Sequence, residues 1–288
     1  MILSRDKNKV AKPKVKYRSI WNDIVGVLLT VIVFILPFYF LLVNAGKNEE
    51  DSFRLNMSPP KDWQLWENFK TVITDNDWMV LRSTWNSLVM TVGSVFFLII
   101  ISGMTGYVMH RKRNIVTTIG NIFVLTALVV PPAIVPTIWV LQRLGLYKTM
   151  TGMIMIQVAY GLAFAVLIFR NFMSTIPREI DEAAMIDGCT GWGLYFRVIF
   201  PLLKPVTITI GIIATAAIFN DFTNPLYYLP GEENATLQQT LFNYVSRYST
   251  QYNLLFTDIL YITAFPLVAF IFFNKRIVAG MTAGSIKG

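Results

Sequence analysis

The sequence predicts an all-α integral membrane protein: six transmembrane helices, a cytoplasmic helix-turn-helix between the fourth and fifth, and both termini cytoplasmic. Three observations carry this expectation. The chain is 54% hydrophobic and only 15% charged, whereas soluble proteins average about 25% charged residues. Its apolar residues fall into six runs near Ile24–Ala45, Ser87–Met109, Ile115–Leu141, Met153–Phe172, Val206–Leu229 and Ile259–Phe273, each close to the roughly 20 residues that span a bilayer as a helix. Finally, these runs separate 17 lysines and arginines on one side from 8 on the other. The positive-inside rule puts the richer side in the cytoplasm, so the net charge of +8 reads as an orientation signal and not as a nucleic-acid surface.

Residues 1–19 form a basic arm broken by Pro13, and residues 20–277 the membrane domain. The first apolar run is too long for a cleaved signal, and no A-x-A-like site follows it. The external connection, residues 46–86, carries apolar residues at helical spacing in WQLWENFKTVITDNDWMVL. That segment either lies on the membrane, meets an external partner or packs on the chain's own helices. The third run contains Pro131, Pro132 and Pro136. Proline removes a donor and clashes with the preceding turn, so this helix should kink or break. Such breaks are tolerated in lipid against protein or a wet cavity.

The fifth run ends in FNDFTNPLYYLPG. Asn220, Asp221 and Asn224 are costly in a membrane segment and should face protein or water. With Tyr228, and with Tyr160 from the Gln157–Tyr160 stretch, they are candidate lining of a path for an uncharged polar solute. Asn220 and Tyr228 suit such a solute better than Asp221, which would instead orient backbone or hold a gate. Asp258 is read as an interfacial residue.

Several chemistries are excluded. There is no G-x-x-x-x-G-K-[ST] phosphate loop. His110 is the sole histidine and Cys189 the sole cysteine, so a histidine-rich metal cluster, a serine–histidine triad and an internal disulfide are not expected. No metal site is expected. The second and fourth runs lack internal Asp, Glu or Lys, which weakens a self-powered proton relay.

Between the fourth and fifth runs, residues 176–205 read IPREIDEAAMIDGCTGWGLYFRVIFPLLKP. Ser174 and Thr175 offer caps, Pro177 a first-turn residue, and Glu179, Asp181 and Glu182 acids at the positive end of a helix. Ile176, Ile180, Ala183, Ala184 and Asp187 are expected on one shallow face, and Gly188 where the chain must turn without obstruction by a side chain. LYFRVIFPLL then returns to the fifth run as a second amphipathic piece.

EAAMIDG followed by FRVIFPLLKP resembles the EAA loop of ATP-binding-cassette importer permeases, with Glu182, Ala183, Ala184 and Gly188 at its key positions. Cys189 and Thr190 stand where an Ala-Ser pair is common in that family. NSLVMTVGS, VVPPAIVPTIWVLQRLGLYKT, FNDFTNPLYYL and the ending FNKRIVAGMTAGSIKG resemble its carbohydrate-importer branch, the ending being similar to that of the smaller maltose-type permease. The resemblance implies a sugar importer subunit in the cell membrane, paired with a second homologous permease, two copies of a cytoplasmic ATPase that bind ATP and magnesium, and an extracellular sugar-binding protein. It implies ATPase docking by Glu182, Ala183, Ala184, Asp187 and Gly188. A second contact falls to the tail, residues 278–288, through Gly280, Ala283, Gly284 and Lys287. The chain itself is expected to hold no cofactor and to catalyse no reaction. Rival readings are a secondary transporter, a permease for a non-sugar solute such as a glycerol phosphate, and a membrane scaffold or sensor.

Overall fold

A computed structural model describes residues 20–245 and 250–285, with residues 20, 269 and 273–285 described by backbone alone. The described residues form helices and turns, with one isolated β-bridge between Val245 and Thr250. Helix α1 spans Trp21–Ala45. Pro37 supplies no N–H, and the turn before it widens to i→i+5 bonding over Val31–Ile35, where the Leu36 N–H donates to Val31 O. After the short α2 (Glu49–Ser52) comes α3, Leu65–Arg111, interrupted at Asp75–Trp78, where Asn76, Asp77 and Trp78 have positive φ. The third expected run is two helices, α4 (Ile115–Val129) and α5 (Ile134–Arg143), with Pro131 and Pro132 in the gap. Pro136 lies in the first turn of α5, where an N–H is unpaired in any helix.

Helix α6, Met150–Met173, begins where Thr149 Oγ1 accepts from Gly152 N. The loop helix α7 (Glu179–Ile186) follows, then α8 (Gly191–Leu202) and α9 (Lys204–Phe219), which meet at 78°. The fifth expected run stops at Phe219 and resumes as α10, Thr223–Tyr228. The last helix, α11, is continuous from Tyr252 to Ser285, seven residues earlier at its start than the expected sixth run. Among the described residues, four helices are long and apolar enough to cross a membrane, namely α1, α3, α6 and α11 through Phe272; α8 with α9 is a bent fifth candidate. Helix α4 is apolar but shorter.

The principal packing pair is α3 with α6. Buried Ser87, Thr91, Ser94, Leu98, Ser102 and Gly106 recur every three or four residues along α3, with Gly103 beside them; all but Leu98 are small, a stripe of the kind that lets membrane helices approach closely. The tightest point is Gly106, where a Cβ would stand 2.8 Å from Phe169 Cβ and 2.9 Å from Arg170 N. Around this pair Met90, Leu98, Met153, Phe169, Met173, Tyr195, Ile199, Leu203 and Ile210 form the main core. A second cluster joins Val72 and Val80 to Phe219, Leu237, Tyr244, Leu254 and Ile262. The connection 46–86 therefore packs substantially on the chain's own helices.

A polar lock closes that end of the molecule. Lys47, 2% exposed, points its amine at Asn44 Oδ1 (2.9 Å), Asn56 O (2.8 Å) and Asn56 Oδ1 (2.8 Å), and burial pushes its pKa down. Asn68 Nδ2 donates to Ala45 O and Lys47 O, while Asn68 Oδ1 accepts from Asn253 of α11. Asp258, expected at an interface, is fully buried and accepts from Thr240 Oγ1 at 2.7 Å.

The glycine contacts set a test of opposite signs. Gly106→Ala gains helix propensity but forces α3 off α6, and overpacking of roughly 1–3 kcal/mol should outweigh about 1 kcal/mol of propensity. A Cβ at Gly26 meets nothing within 4 Å, so Gly26→Ala should be neutral or stabilising. Thermal unfolding of the two variants in detergent checks the contrast; equal stability would refute close packing at Gly106.

Candidate functional site

The loop helix α7 divides its residues by helical phase. Ile180, Asp181 and Ala184 turn inward, with Asp181 6% and Ala184 7% exposed. Glu179, Glu182, Ala183, Ile186 and Asp187 lie on the exposed arc. The single shallow face anticipated from Ile176, Ile180, Ala183, Ala184 and Asp187 is thus split, with Ile176, Ile180 and Ala184 inward and Ala183 and Asp187 outward. A helix turns about 100° per residue, so Ala184 follows Ile180 into the protein while Ala183 stays outside. The capping expectation is also corrected. Ser174 and Thr175 donate their hydroxyls back to Asn171 O (2.7 Å) and Phe172 O (2.8 Å), finishing α6, and Arg178 holds the N-cap position of α7 without a side-chain cap.

What fixes α7 is a buried ion pair that the loop sequence does not announce. Arg111, the last residue of α3, brings Nη2 to 2.7 Å from Asp181 Oδ2, the two side chains being 10% and 8% exposed. The same nitrogen donates to Ile176 O (3.1 Å) and Pro177 O (3.3 Å). Tyr107, one turn earlier on α3, donates its hydroxyl to Asp181 Oδ1 at 2.8 Å. Its ring meets Tyr195 of α8 with centroids 5.6 Å apart. The end of α3 therefore holds both halves of the loop.

The turn after α7 depends on backbone handedness. Gly188 has φ +86°, and a Cβ there would meet nothing within 4 Å. The requirement for glycine is the left-handed conformation, which costs an L-residue roughly 1–2 kcal/mol, and not lack of space. The turn closes α7 through Cys189 N donating to Ala184 O (2.9 Å) and Gly188 N to Met185 O (3.0 Å).

A cavity of about 330 Å³ opens between α3, α6 and α9, lined by Leu98, Gln157, Tyr160, Phe164, Asp221 and Asn224 among others. Asp221 organises its polar wall. Its Oδ2 accepts from Gln157 Nε2 and Asn224 Nδ2, both at 2.6 Å, and its Oδ1 accepts from Asn224 N at 3.1 Å. Tyr160 lines the cavity and shares a 2.7 Å hydroxyl contact with Tyr228. Tyr228 itself is 1% exposed and stands behind Tyr160. Asn220 is exposed and donates to Ala216 O at 2.9 Å, away from this wall. The structure thus brings Tyr160, Asp221 and Asn224 together and sets Asn220 and Tyr228 apart. At the start of α5, Thr137 Oγ1 donates back to the N-cap carbonyl, Ala133 O, at 2.8 Å. Of the tail residues, Gly280, Ala283 and Gly284 are helical in backbone, their side-chain surroundings lie outside the described residues, and Lys287 lies wholly outside them.

Long apolar helices around a polar-walled cavity, with a short helix pinned rigidly beyond one end, define a membrane transport subunit. Residues 99–281 match the family of binding-protein-dependent transport system inner membrane components, and the chain belongs to that family. It is therefore a multi-pass permease of the cell membrane. The chain is 30% identical over 277 residues to the probable starch degradation products transport system permease protein AmyC of Thermoanaerobacterium thermosulfurigenes, covering 95% of this chain and 99% of that protein. It is 26% identical over 267 residues to the arabinooligosaccharides transport system permease protein AraQ of Bacillus subtilis, covering 91% and 93%. A solved bacterial ABC transporter involved in the import of the acidic polysaccharide alginate shares the fold, with TM-score 0.75 and 18% identity over 89% of this chain and 96% of that one.

Removing one member of a buried ion pair costs roughly 3–5 kcal/mol, and a neutral hydrogen bond about 1 kcal/mol. Asp181→Ala should release the loop and speed trypsin cleavage after Arg178 and Arg197 many-fold. Tyr107→Phe should do so weakly, and Glu182→Gln, on the exposed arc, not at all. Equal cleavage of all three variants would remove the ion pair's structural role.

Proposed function

We propose that this chain is the permease subunit of an ATP-driven importer of sugars or oligosaccharides, forming part of the path and coupling it to a separate ATPase. One observation carries the coupling: α7 presents Glu179, Glu182 and Asp187 outward while Asp181 is locked to Arg111. An exposed helix fastened to a membrane helix transmits force, because a push cannot be absorbed by local rotation. The proposed assembly contains a second homologous permease, two ATPase copies holding ATP and magnesium, and an extracellular sugar-binding protein. Six membrane crossings with both termini cytoplasmic accord with the distribution of cations. The broken segments α4–α5 and α9–α10 then count as one crossing each.

In this reading Glu182 and Asp187 meet basic groups on the ATPase, Ala183 allows close approach, Ala184 seats the helix from within, and Gly188 sets the turn. The tail from Gly280 through Lys287 supplies a second ATPase contact. Glu182→Lys should weaken copurification of the ATPase and ATP-dependent uptake by about tenfold or more, as expected when an opposed charge pair becomes a like-charge pair. Membrane insertion should be unchanged. Normal uptake with normal ATPase association would defeat the assignment.

The cavity wall of Tyr160, Asp221 and Asn224 fits a hydroxyl-rich, uncharged solute: an aromatic face, an amide, and a carboxylate already engaged by donors. The sugar-oligosaccharide substrates named for the two relatives favour the same class. Asn220 remains a candidate for a different stage of transport, since it is exposed beyond the cavity. In a Cys189→Ser background, cysteines at 160 and 224 should react with a small hydrophilic thiol reagent, and saturating sugar should slow that labelling during turnover. A cysteine at 228 should react far more slowly. Unreactive 160 and 224 in both inward- and outward-trapped states would place the path elsewhere.

A further inference from the structure

At the end of α3 opens a larger cavity, about 830 Å³, that the proposed transport function does not use. Its lining includes five cations, Arg111, Lys112, Arg113, Arg170 and Arg178, with His110 beside them. Thr117, Thr118 and Asn121 from the first turns of α4 add polar groups, and among the described residues no carboxylate lines the cavity. Arg111 is committed to Asp181, and Arg170 donates to Asn121. Lys112, Arg113 and Arg178 have no carboxylate partner among the described residues. The start of α4, where the helix dipole is positive, adds to the same field. Cations crowded without counter-charges repel one another, and an anion with several oxygens relieves that repulsion through charge-assisted hydrogen bonds.

A second observation identifies the kind of anion. Helix α4 has no buried residue along its length. Ile115 and Phe123 are 72% and 70% exposed, and Val116, Ile119 and Ile122 are exposed with them. The cation cavity thus stands at the foot of a bare apolar helix, at the level where the apolar stretch of α3 gives way to charge. A ligand with an anionic phosphate head and hydrocarbon tails satisfies both surfaces at once, whereas a soluble phosphate satisfies only the first.

We propose that the cavity between the end of α3, the start of α4, Arg170 and Arg178 binds the phosphate headgroup of an anionic membrane phospholipid, whose acyl chains lie along α4. Basic pockets between membrane helices take anionic headgroups in this manner. Assignment to the cytoplasmic leaflet rests on the orientation proposed above; the binding itself does not.

Native mass spectrometry of the full-length chain in detergent, titrated with phosphatidylglycerol or with phosphatidylcholine of the same acyl chains, tests the proposal. Phosphatidylglycerol should bind about tenfold more tightly. Lys112→Gln with Arg113→Gln, both at exposed positions, should abolish the preference without altering the gel-filtration profile. Photoactivatable phosphatidylglycerol on the wild-type chain should crosslink within residues 115–123, a readout independent of any variant's folding. Inorganic phosphate at equal concentration should not displace the lipid. Equal affinity for the two lipids, a preference that survives in the double variant, or crosslinks confined to other helices would overturn the site. Displacement by inorganic phosphate would assign the cavity to a soluble anion instead. Loss of the bound lipid on assembly with the second permease would also overturn the site, by showing that a protein surface and not a lipid covers α4. None of these readouts requires ATPase coupling, so a failed coupling assignment and a failed lipid site remain distinguishable.

Discussion

The contact between Arg111 and Asp181 fixes the geometry on which the rest of this end of the molecule depends. One guanidinium collects the carbonyls of Ile176 and Pro177 as well as the Asp181 carboxylate, while Tyr107 takes the carboxylate's other oxygen. Burial makes the arrangement demanding. A charge removed from water is tolerable only with its partner in place, so the loop's start, the orientation of α7 and the end of α3 must all be correct together. Tyr195 extends the same constraint to α8, because its ring lies against Tyr107 and its hydroxyl occupies the space that Gly103 leaves empty.

The opposite end uses polar contacts to another effect. Lys47 donates to Asn44 and Asn56, Asn68 donates to the carbonyls of Ala45 and Lys47, and Asn253 donates to Asn68. Between the two ends the packing is apolar and close, through a stripe of Ser, Thr and Gly on α3. At the break between α9 and α10 the backbone donors keep partners: Asn220 N completes α9 by donating to Ala216 O, and Asn224 N donates to Asp221 Oδ1. This is how a chain interrupts its helices without leaving donors bare in lipid.

How much of this was legible in the sequence follows from the range of the forces involved. Pro131 and Pro132 act on their own turn, and the gap they make is visible in the string of residues. The left-handed turn at Gly188 is local in the same sense, although its cause is the backbone angle and not steric room. Apolar run length located the long helices, since it reports a property of each helix alone. Legibility failed where the partner is remote. Arg111 and Asp181 stand seventy positions apart, and only an acid on the inward arc of α7, beside an outward Glu182, hints that a cation must meet it. Asp258 looked interfacial because it stands near the start of the last apolar run, and its partner Thr240 lies eighteen positions away in a 3-10 helix, Leu237–Tyr244. Ser174 and Thr175 served the preceding helix rather than the next, a choice between two adjacent ends that composition does not settle. Tyr228 was placed one layer too far forward for the same reason: its alternation with Tyr160 belongs to packing between α6 and α10.

The 78° junction at Leu203 has a mechanical consequence. Helix α9, sixteen residues long, acts as a rigid arm of about 24 Å at 1.5 Å per residue. Its near end is seated beside the loop through buried Ile199 and Leu203, and its far end leads directly to Asp221. A tilt of about 5° at the junction sweeps the far end by about 2 Å over that length. The bond from Gln157 of α6 to Asp221, 2.6 Å long, does not survive such a displacement of its acceptor, whereas Asn224, three residues on, moves with Asp221. The arm therefore converts a small angular change at the loop into the making or breaking of the cavity's polar wall, without any helix having to bend.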